Sequence, residues 1–329
     1  MSEIHKFLFD GLPVRGVLVR LTGAWTEVLQ RRASGGAAGA YPAPVQNMLG
    51  EMVAAATLMQ SNIKFNGSLI LQIFGDGPVK LAVAEIQPGF GLRATATVIG
   101  DIAEQASLSA LVNVNNEGKC AITLDPQNRF PGQQPYQGVV PLFGDDGQPL
   151  EKLSEVLEHY MLQSEQLDTR LVLAADGEVA AGLLIQRLPL EGTGNLAGSM
   201  VSEVNEDEIG LNEHFNRIAL LASTLKREEL LTLDAQTILR RLFWEETVIH
   251  FEPLTGDAGP HFSCTCSRER VSNMLRGLGR EEVDSIVAER GNIEVGCEFC
   301  GVQYHFDPID VVQIFTVTGG VPPAADLVQ

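Results

Sequence analysis

Four cysteines near one end of the chain constrain its fold more than any other feature. Cys264-Thr265-Cys266 and Cys297-Glu298-Phe299-Cys300 form two close pairs, with thirty residues between them. Two thiolates two or three residues apart on a tight turn can point at one centre, and two such pairs close a tetrahedron. Soft sulfur ligands and a tetrahedral preference make Zn²⁺ the natural ion, one per chain. A single pair is a weak signal, whereas two pairs around a small helical insert are a strong one. Residues 257–329 are therefore expected to form a small zinc-binding α+β domain. Ser267 can cap a helix ending near Gly277, and a second helix spans Glu281 to Glu289 before Gly291. Short strands at Ile293–Val295 and Gln303–Phe306 flank the second pair. Asp307-Pro308 then starts a last helix, where proline's missing N–H has no partner to lose.

Spacing alone leaves two readings of this centre open. In the first, it is a static module that lets about 65 residues fold around a metal. In the second, the sulfurs are chemically used. Four thiolates on Zn²⁺ carry a net −2 and stay electron-rich, so oxidation to sulfenate or disulfide would remove ligands. Four cysteines permit three pairings. Pairing neighbours needs the least chain movement, and it would sever the link between the two halves of the site. His261 and His305 are near enough in sequence to compete as ligands, but with four thiolates present they are read as surface or supporting residues. The fifth cysteine, Cys120, stands alone in a strand-like run and is read as a buried, inert thiol.

The rest of the chain divides in two. Residues 1–189 place apolar, β-branched runs at Ser68–Phe74, Val79–Ile86, Leu92–Ile99, Cys120–Leu124, Gln137–Leu142, Thr169–Ala174 and Val179–Leu188. Val45 to Asn62 is apolar on most sides and reads as a buried helix, with Pro44 at its start. A second helix is expected at Pro149–Ser164, and Arg31–Ala40 reads as a Gly/Ala-rich loop. Strands grouped with few intervening helices favour an α+β fold. Residues 190–256 change character, beginning with a Gly- and acid-rich loop from Glu191 to Glu208. Helical periodicity returns from Glu213, with Ile218, Leu221 and Leu225 on one face. A further helix capped by Asp234 carries Ile238, Leu239, Leu242 and Phe243. This linker has amphipathic helices but too little length for a large core of its own.

Charge narrows the function. The 329 residues carry a formal −19, and residues 191–260 alone hold 13 acidic against 5 basic side chains. So acidic a chain repels phosphate backbones, which argues against nucleic acid as a partner. Residues 261–329, with 10 acidic and 5 basic side chains, make a poor nucleic-acid-binding zinc ribbon. Neither a secretory leader nor a membrane-spanning run is visible, so a reducing cytoplasm is expected. In that compartment close cysteines are more often metal ligands or redox groups than staples. No phosphate-binding loop occurs, since Gly75-Asp76-Gly77-Pro78 joins two strands and is a turn. The acidic stretch around Asp207 lacks the glycine and spacing of a calcium loop. A thiol–disulfide oxidoreductase using Cys297 and Cys300 is the enzymatic rival, but Gly301 and a strand follow the pair where such enzymes place a helix.

The sequence resembles the 33 kDa redox-regulated heat-shock chaperones over nearly its whole length. The resemblance is most specific in Cys264-Thr265-Cys266-Ser267-Arg268-Glu269-Arg270, in Glu281-Glu282-Val283-Asp284-Ser285-Ile286, and in Cys297-x-x-Cys300-Gly301 with Tyr304 and Phe306. Lys64-Phe65-x-Gly67, Tyr136-Gln137-Gly138-Val139-Val140, Ser164-Glu165-Gln166-Leu167 and Lys226-x-Glu228-Glu229-Leu230-Leu231 match as well. The resemblance implies a cytoplasmic, ATP-independent holdase, not an enzyme, whose N-terminal domain is built from crossed β-sheets with helices. It implies that the reduced, zinc-bound form is inactive. Oxidation then forms the Cys264–Cys266 and Cys297–Cys300 disulfides, releases zinc and unfolds the C-terminal region and linker. The protein, commonly a homodimer, then binds unfolded client proteins under oxidative and heat stress. Arg31–Ala40, Asn195–Gly210 and Cys120 depart from the family pattern.

Overall fold

The structure is a computed structural model that describes residues 1–34, 39–128, 130, 132–188 and 206–316. Its first feature is a hairpin, β1 (Glu3–Phe9) and β2 (Val14–Leu21), followed by helices α1 (Gly23–Ser34) and α2 (Ala43–Asn62). Strands β3 (Gly67–Phe74), β4 (Val79–Ile86) and β5 (Gly91–Val98) form a meander, and the short helix α3 (Leu108–Val112) leads to β6 (Lys119–Pro126) and β7 (Tyr136–Pro141). Helix α4 (Leu153–Glu165) precedes the hairpin β8 (Thr169–Ala175) and β9 (Ala180–Arg187). Helices α5 (Glu206–Ser223), α6 (Arg227–Thr232) and α7 (Ala235–Leu242) follow, then the short strands β10 (Val248–His250), β11 (Leu254–Thr255) and β12 (His261–Phe262). The C-terminal part consists of α8 (Arg268–Leu278), α9 (Arg280–Arg290), the hairpin β13 (Ile293–Gly296) and β14 (Gln303–Phe306), and α10 (Pro308–Thr316).

Two larger sheets result. One has the order β10-β1-β2-β9-β8, with β11 also on β1, and the other β12-β5-β4-β3-β6-β7. Helix α2 lies between them. It touches β2, β8 and β9 of the first sheet and β3, β4 and β5 of the second. That position explains its composition, because a helix covered on both sides has no polar stripe to keep. Leu49, Met52, Val53, Ala56 and Leu58 are fully buried within a single core that draws on both sheets. Mixed α+β architecture is thus what the strand-rich sequence predicts.

The opposite face of the first sheet has a separate core. Phe7, Phe9, Val14, Leu18, Leu183 and Ile185 pack there against Phe215, Ile218, Leu230, Ile238, Leu242 and Phe243 of the linker helices. The rings of Phe9 and Phe243 meet edge to face at 5.0 Å. Asp234 caps α7 as expected, accepting from the Thr237 amide at 2.9 Å. Guanidiniums add backbone ties from this layer to the sheet: Arg20 donates to the Leu231 carbonyl at 2.8 Å, and Arg227 to that of Ala175.

Several boundaries differ from the sequence reading. The second helix of the N-terminal part starts at Leu153, not Pro149, because Phe143 and Pro149 form a β-bridge and Lys152 is still extended. Arg31–Ser34, expected in a loop, complete α1. Arg31 pairs with Glu27 one turn back and lies 4.7 Å over the Phe262 ring, and Arg32 lies 4.6 Å over Tyr41. The first linker helix begins at Glu206 instead of Glu213. The expected loop therefore loses residues 206–208 to α5, and the rest of it lies outside the described residues.

Candidate metal centre

The four expected ligands come from two loops. Cys264 and Cys266 lie between β12 and α8, and Cys297 and Cys300 in the turn that joins β13 to β14. Each loop is shaped by its own sequence. Ser267 caps α8 by accepting from the Arg270 amide at 3.1 Å, which places Cys266 just before a helix N-terminus, where negative charge is favoured. In the second loop the Gly301 amide donates to the Cys297 carbonyl at 2.8 Å, and the Cys297 amide to that of Val302 at 2.9 Å. Gly301 has φ of 73°, a conformation that residues with a Cβ resist.

The loops converge so that all four sulfurs lie within 4.8 Å of one another, the one metal-competent group among the described residues. Cys264 and Cys297 Sγ are 3.7 Å apart, and Cys266 and Cys300 Sγ 3.3 Å. All four are free thiols. Sulfurs held tetrahedrally about 2.3 Å from a zinc ion stand about 3.8 Å from each other, and the 3.3 and 3.7 Å separations are close enough to that spacing for the four residues to hold such an ion. Neither histidine joins the group. His261 contacts the Gly259 carbonyl, and His305 pairs with Glu294. Cys120 is fully buried in β6, and burial pushes its thiol up to about 12.

The sulfurs sit in unequal surroundings. Partial burial works against ionising Cys266, but the Tyr304 hydroxyl at 3.1 Å and the neighbouring thiols outweigh it and bring this group to about 7. Burial raises Cys297 and Cys300, although backbone amides of the turn oppose the rise. Cys264 instead faces the N-terminal domain, with Arg93 Nη1 3.9 Å from its sulfur. Sequence reasoning missed Arg93 and its partner Glu85. They face each other directly across β4 and β5, and the available signal was a charge of opposite sign on each of two strands read as neighbours.

The module around the centre has a small core. Its buried apolar side chains are Leu275, Val283, Ile293, Phe306, Val311 and Ile314. It also leans on the N-terminal domain. Strand β12 pairs in parallel with β5, and the Ser263 amide continues the ladder to the Leu92 carbonyl at 2.9 Å. A Cβ on Gly91 would stand 2.8 Å from that of Ser263, so this close approach requires glycine.

Comparison with known proteins agrees with the fold. The sequence profile of the family described as Hsp33 protein matches residues 2–307. The 33 kDa chaperonin of Chromobacterium violaceum is 47% identical over 314 residues, which are 95% of this chain and 94% of that protein. The protein of the same name from Methylobacillus flagellatus is 40% identical over 327 residues, 99% and 98% of the two chains. Among solved structures, the crystal structure of the 33 kDa chaperonin (heat shock protein 33 homolog) from Thermotoga maritima superposes with a TM-score of 0.69. It covers 95% of this chain and 98% of its own, and its 19% identity makes it a likeness of fold. No helix among the described residues is long and apolar enough to cross a membrane.

Proposed function

The chain belongs to the Hsp33 family, and we propose that it is a redox-regulated, ATP-independent holdase whose switch is the four-cysteine centre. The observation that carries this reading is the convergence of four free thiols in a module too small to be stable on apolar burial alone. Cys264, Cys266, Cys297 and Cys300 would hold one Zn²⁺, which when bound cross-links the two loops and supplies folding energy. Residues 1–189 serve as the core domain, 190–256 as the linker and 257–329 as the switch.

Oxidation by a peroxide needs only the chain's own sulfurs. Two thiolates give up one electron each as the S–S bond forms. The peroxide O–O bond takes both electrons and, with two protons, leaves as two waters. Two such events use all four sulfurs, and a disulfide sulfur is a poor ligand for zinc. Neighbour pairing, Cys264–Cys266 and Cys297–Cys300, is supported by the family resemblance and by chain proximity, and it leaves the two loops unconnected. The module then depends on its six buried apolar side chains.

Its loss is transmitted through the chain. Strand β12 is held on β5 immediately before Cys264, and β10 and β11 are held on β1 just upstream. Release of this anchored segment frees α5–α7 at their C-terminal end. The sheet face they cover, with Phe7, Phe9, Leu18 and Leu183, would then be open to unfolded clients. The net charge of −19 keeps a chain with such a face in solution. We assign the active form as a cytoplasmic homodimer with no catalytic turnover.

A zinc titration before and after peroxide at mild heat, read beside circular dichroism, tests the reading. The expected result is one zinc bound per chain, stoichiometric release on oxidation, and client protection only afterwards, without ATP. Oxidised, zinc-free protein that stays folded and leaves clients to aggregate would refute it. Turnover of insulin reduction would favour the oxidoreductase instead.

A further inference from the structure

Arg93 is the one N-terminal-domain side chain recorded against a sulfur of the centre among the described residues, and its setting is built. Glu85 holds it through Nε at 2.9 Å and Nη2 at 2.6 Å, with both side chains largely buried. That leaves the Nη1 edge, which faces Cys264 Sγ at 3.9 Å. The guanidinium carbon also lies over the Phe299 ring, 4.3 Å from its centroid. Cys264 belongs to the first cysteine loop, and Phe299 sits between the two cysteines of the second. One planar cation therefore touches both halves of the centre from outside the module.

This placement follows from the backbone. Arg93 and Glu85 are opposite partners in the β4–β5 ladder, and β12 ends two residues before Cys264 while pairing with Gly91 and Leu92 of the same strand. A second, more exposed ion pair, Arg32 with Glu298 at 3.7 Å, ties the second loop to α1. The module is thus fixed in register against β5, and Arg93 has one thiolate within reach.

We infer that Arg93 is an outer positioning residue of the four-cysteine centre, through which the N-terminal domain fixes the Cys264 sulfur and restrains its reaction with oxidant. The inference rests on the proposed switch and deepens it. A thiolate facing a cation has its lone pairs held down in energy, so it attacks peroxide less readily. An arginine can do this while stacked on Phe299, because its planar fork serves Glu85, the ring and the sulfur at once. When Cys264 becomes part of a disulfide its negative charge is gone. Arg93 then loses its attraction to the module, and oxidation and undocking favour one another.

The test uses the full chain, reduced and loaded with one equivalent of Zn²⁺ or Co²⁺. Arg93→Gln alone strands a buried carboxylate, so the informative variant is Arg93→Gln with Glu85→Gln, which leaves an amide pair in place of the ion pair. It should still bind one ion. Its thiolate-to-cobalt charge-transfer band should move to lower energy, and zinc release under peroxide should speed up about tenfold, equivalent to about 1.4 kcal/mol in the barrier. Arg93→Lys, a point cation without the fork that spans Glu85, the ring and the sulfur, should place the band between those of the parent and the glutamine pair. A double variant with the parental band and parental release rate overturns the inference. Failure of the parent chain itself to bind or release zinc is a separate result, and it counts against the proposed function.

Discussion

Phe243→Ala is the substitution that most directly probes whether the linker helices are a releasable cover. Phe243 closes α7, is 2% exposed, and packs on Phe9 at 5.0 Å and on Phe7 at 6.1 Å. Truncating a buried phenylalanine costs about 3–5 kcal/mol, of which each aromatic pair contributes about 0.5–1.5 kcal/mol. If the cover opens as a unit, the lower figure already raises its open fraction about a hundredfold, since about 1.4 kcal/mol is a factor of ten. Amide hydrogen exchange on the reduced, zinc-loaded protein reads this locally. Exchange should accelerate by that factor in α7 and β10, while β3, β4 and β6 in the other sheet keep their protection. Partial client protection without oxidant should accompany it. Equal acceleration in both sheets, or none in α7, would refute the idea that the cover opens separately from the core.

Other substitutions test separate steps of the argument. Cys297→Ser should weaken zinc binding and loosen residues 257–306, seen by competitive chelation and by proteolysis. Cys120→Ser, in a strand remote from the centre, should leave zinc stoichiometry and peroxide release unchanged, and a lost zinc ion would overturn the ligand set. Ser267→Ala removes the cap of α8 and should cost the module about 1 kcal/mol, measured as a lower melting temperature of the zinc-loaded chain. Glu51 on α2 is raised to about 7, by burial that Arg227 only partly offsets. Its folded-state value lies above the unfolded one, so the native state holds the extra proton and stability falls as pH rises from about 4.5 to about 7, by up to about 3 kcal/mol. Glu51→Gln should therefore raise the melting temperature at pH 8 and leave it nearly unchanged at pH 4.

The legible parts of this chain were those whose residues carry their own local signal. The apolar run of α2, the apolar runs bounded by turns at β3 to β9, the Ser267 and Asp234 caps and the cysteine spacing all act within a few residues. What escaped was set by distant partners. Strand β2 is buried on both faces, against α2 on one side and the linker helices on the other, so it lacks a polar alternation. Strands β10, β11 and β12 are two or three residues long and exist because β1 and β5 offer open edges. The last turn of α1 is composed like a loop and is held as helix by Glu27, Phe262 and Tyr41. That the four cysteines would converge was readable from their spacing. The side chains that surround the centre from outside, Arg93 and Glu85, were not, because their relation to Cys264 spans 171 and 179 positions and appears only once β12 is laid beside β5.

Under the proposed switch, these missed strands would carry a local chemical event to a distant surface. The linker helices are joined to the cysteine module by β10, β11 and β12, and these short strands are bound to two different sheets. Each offers a few backbone hydrogen bonds and little apolar burial, so each depends on both ends of its segment being held. Helices α5–α7 hold one end through the phenylalanine-rich face of the first sheet, and the cysteine module holds the other, with Cys264 facing Arg93. On the proposed switch, an intact centre would hold the far end of this segment. If the sulfurs paired with each other, the segment would keep one anchor instead of two, and β12, nearest the centre, would be left with only its short pairing on β5.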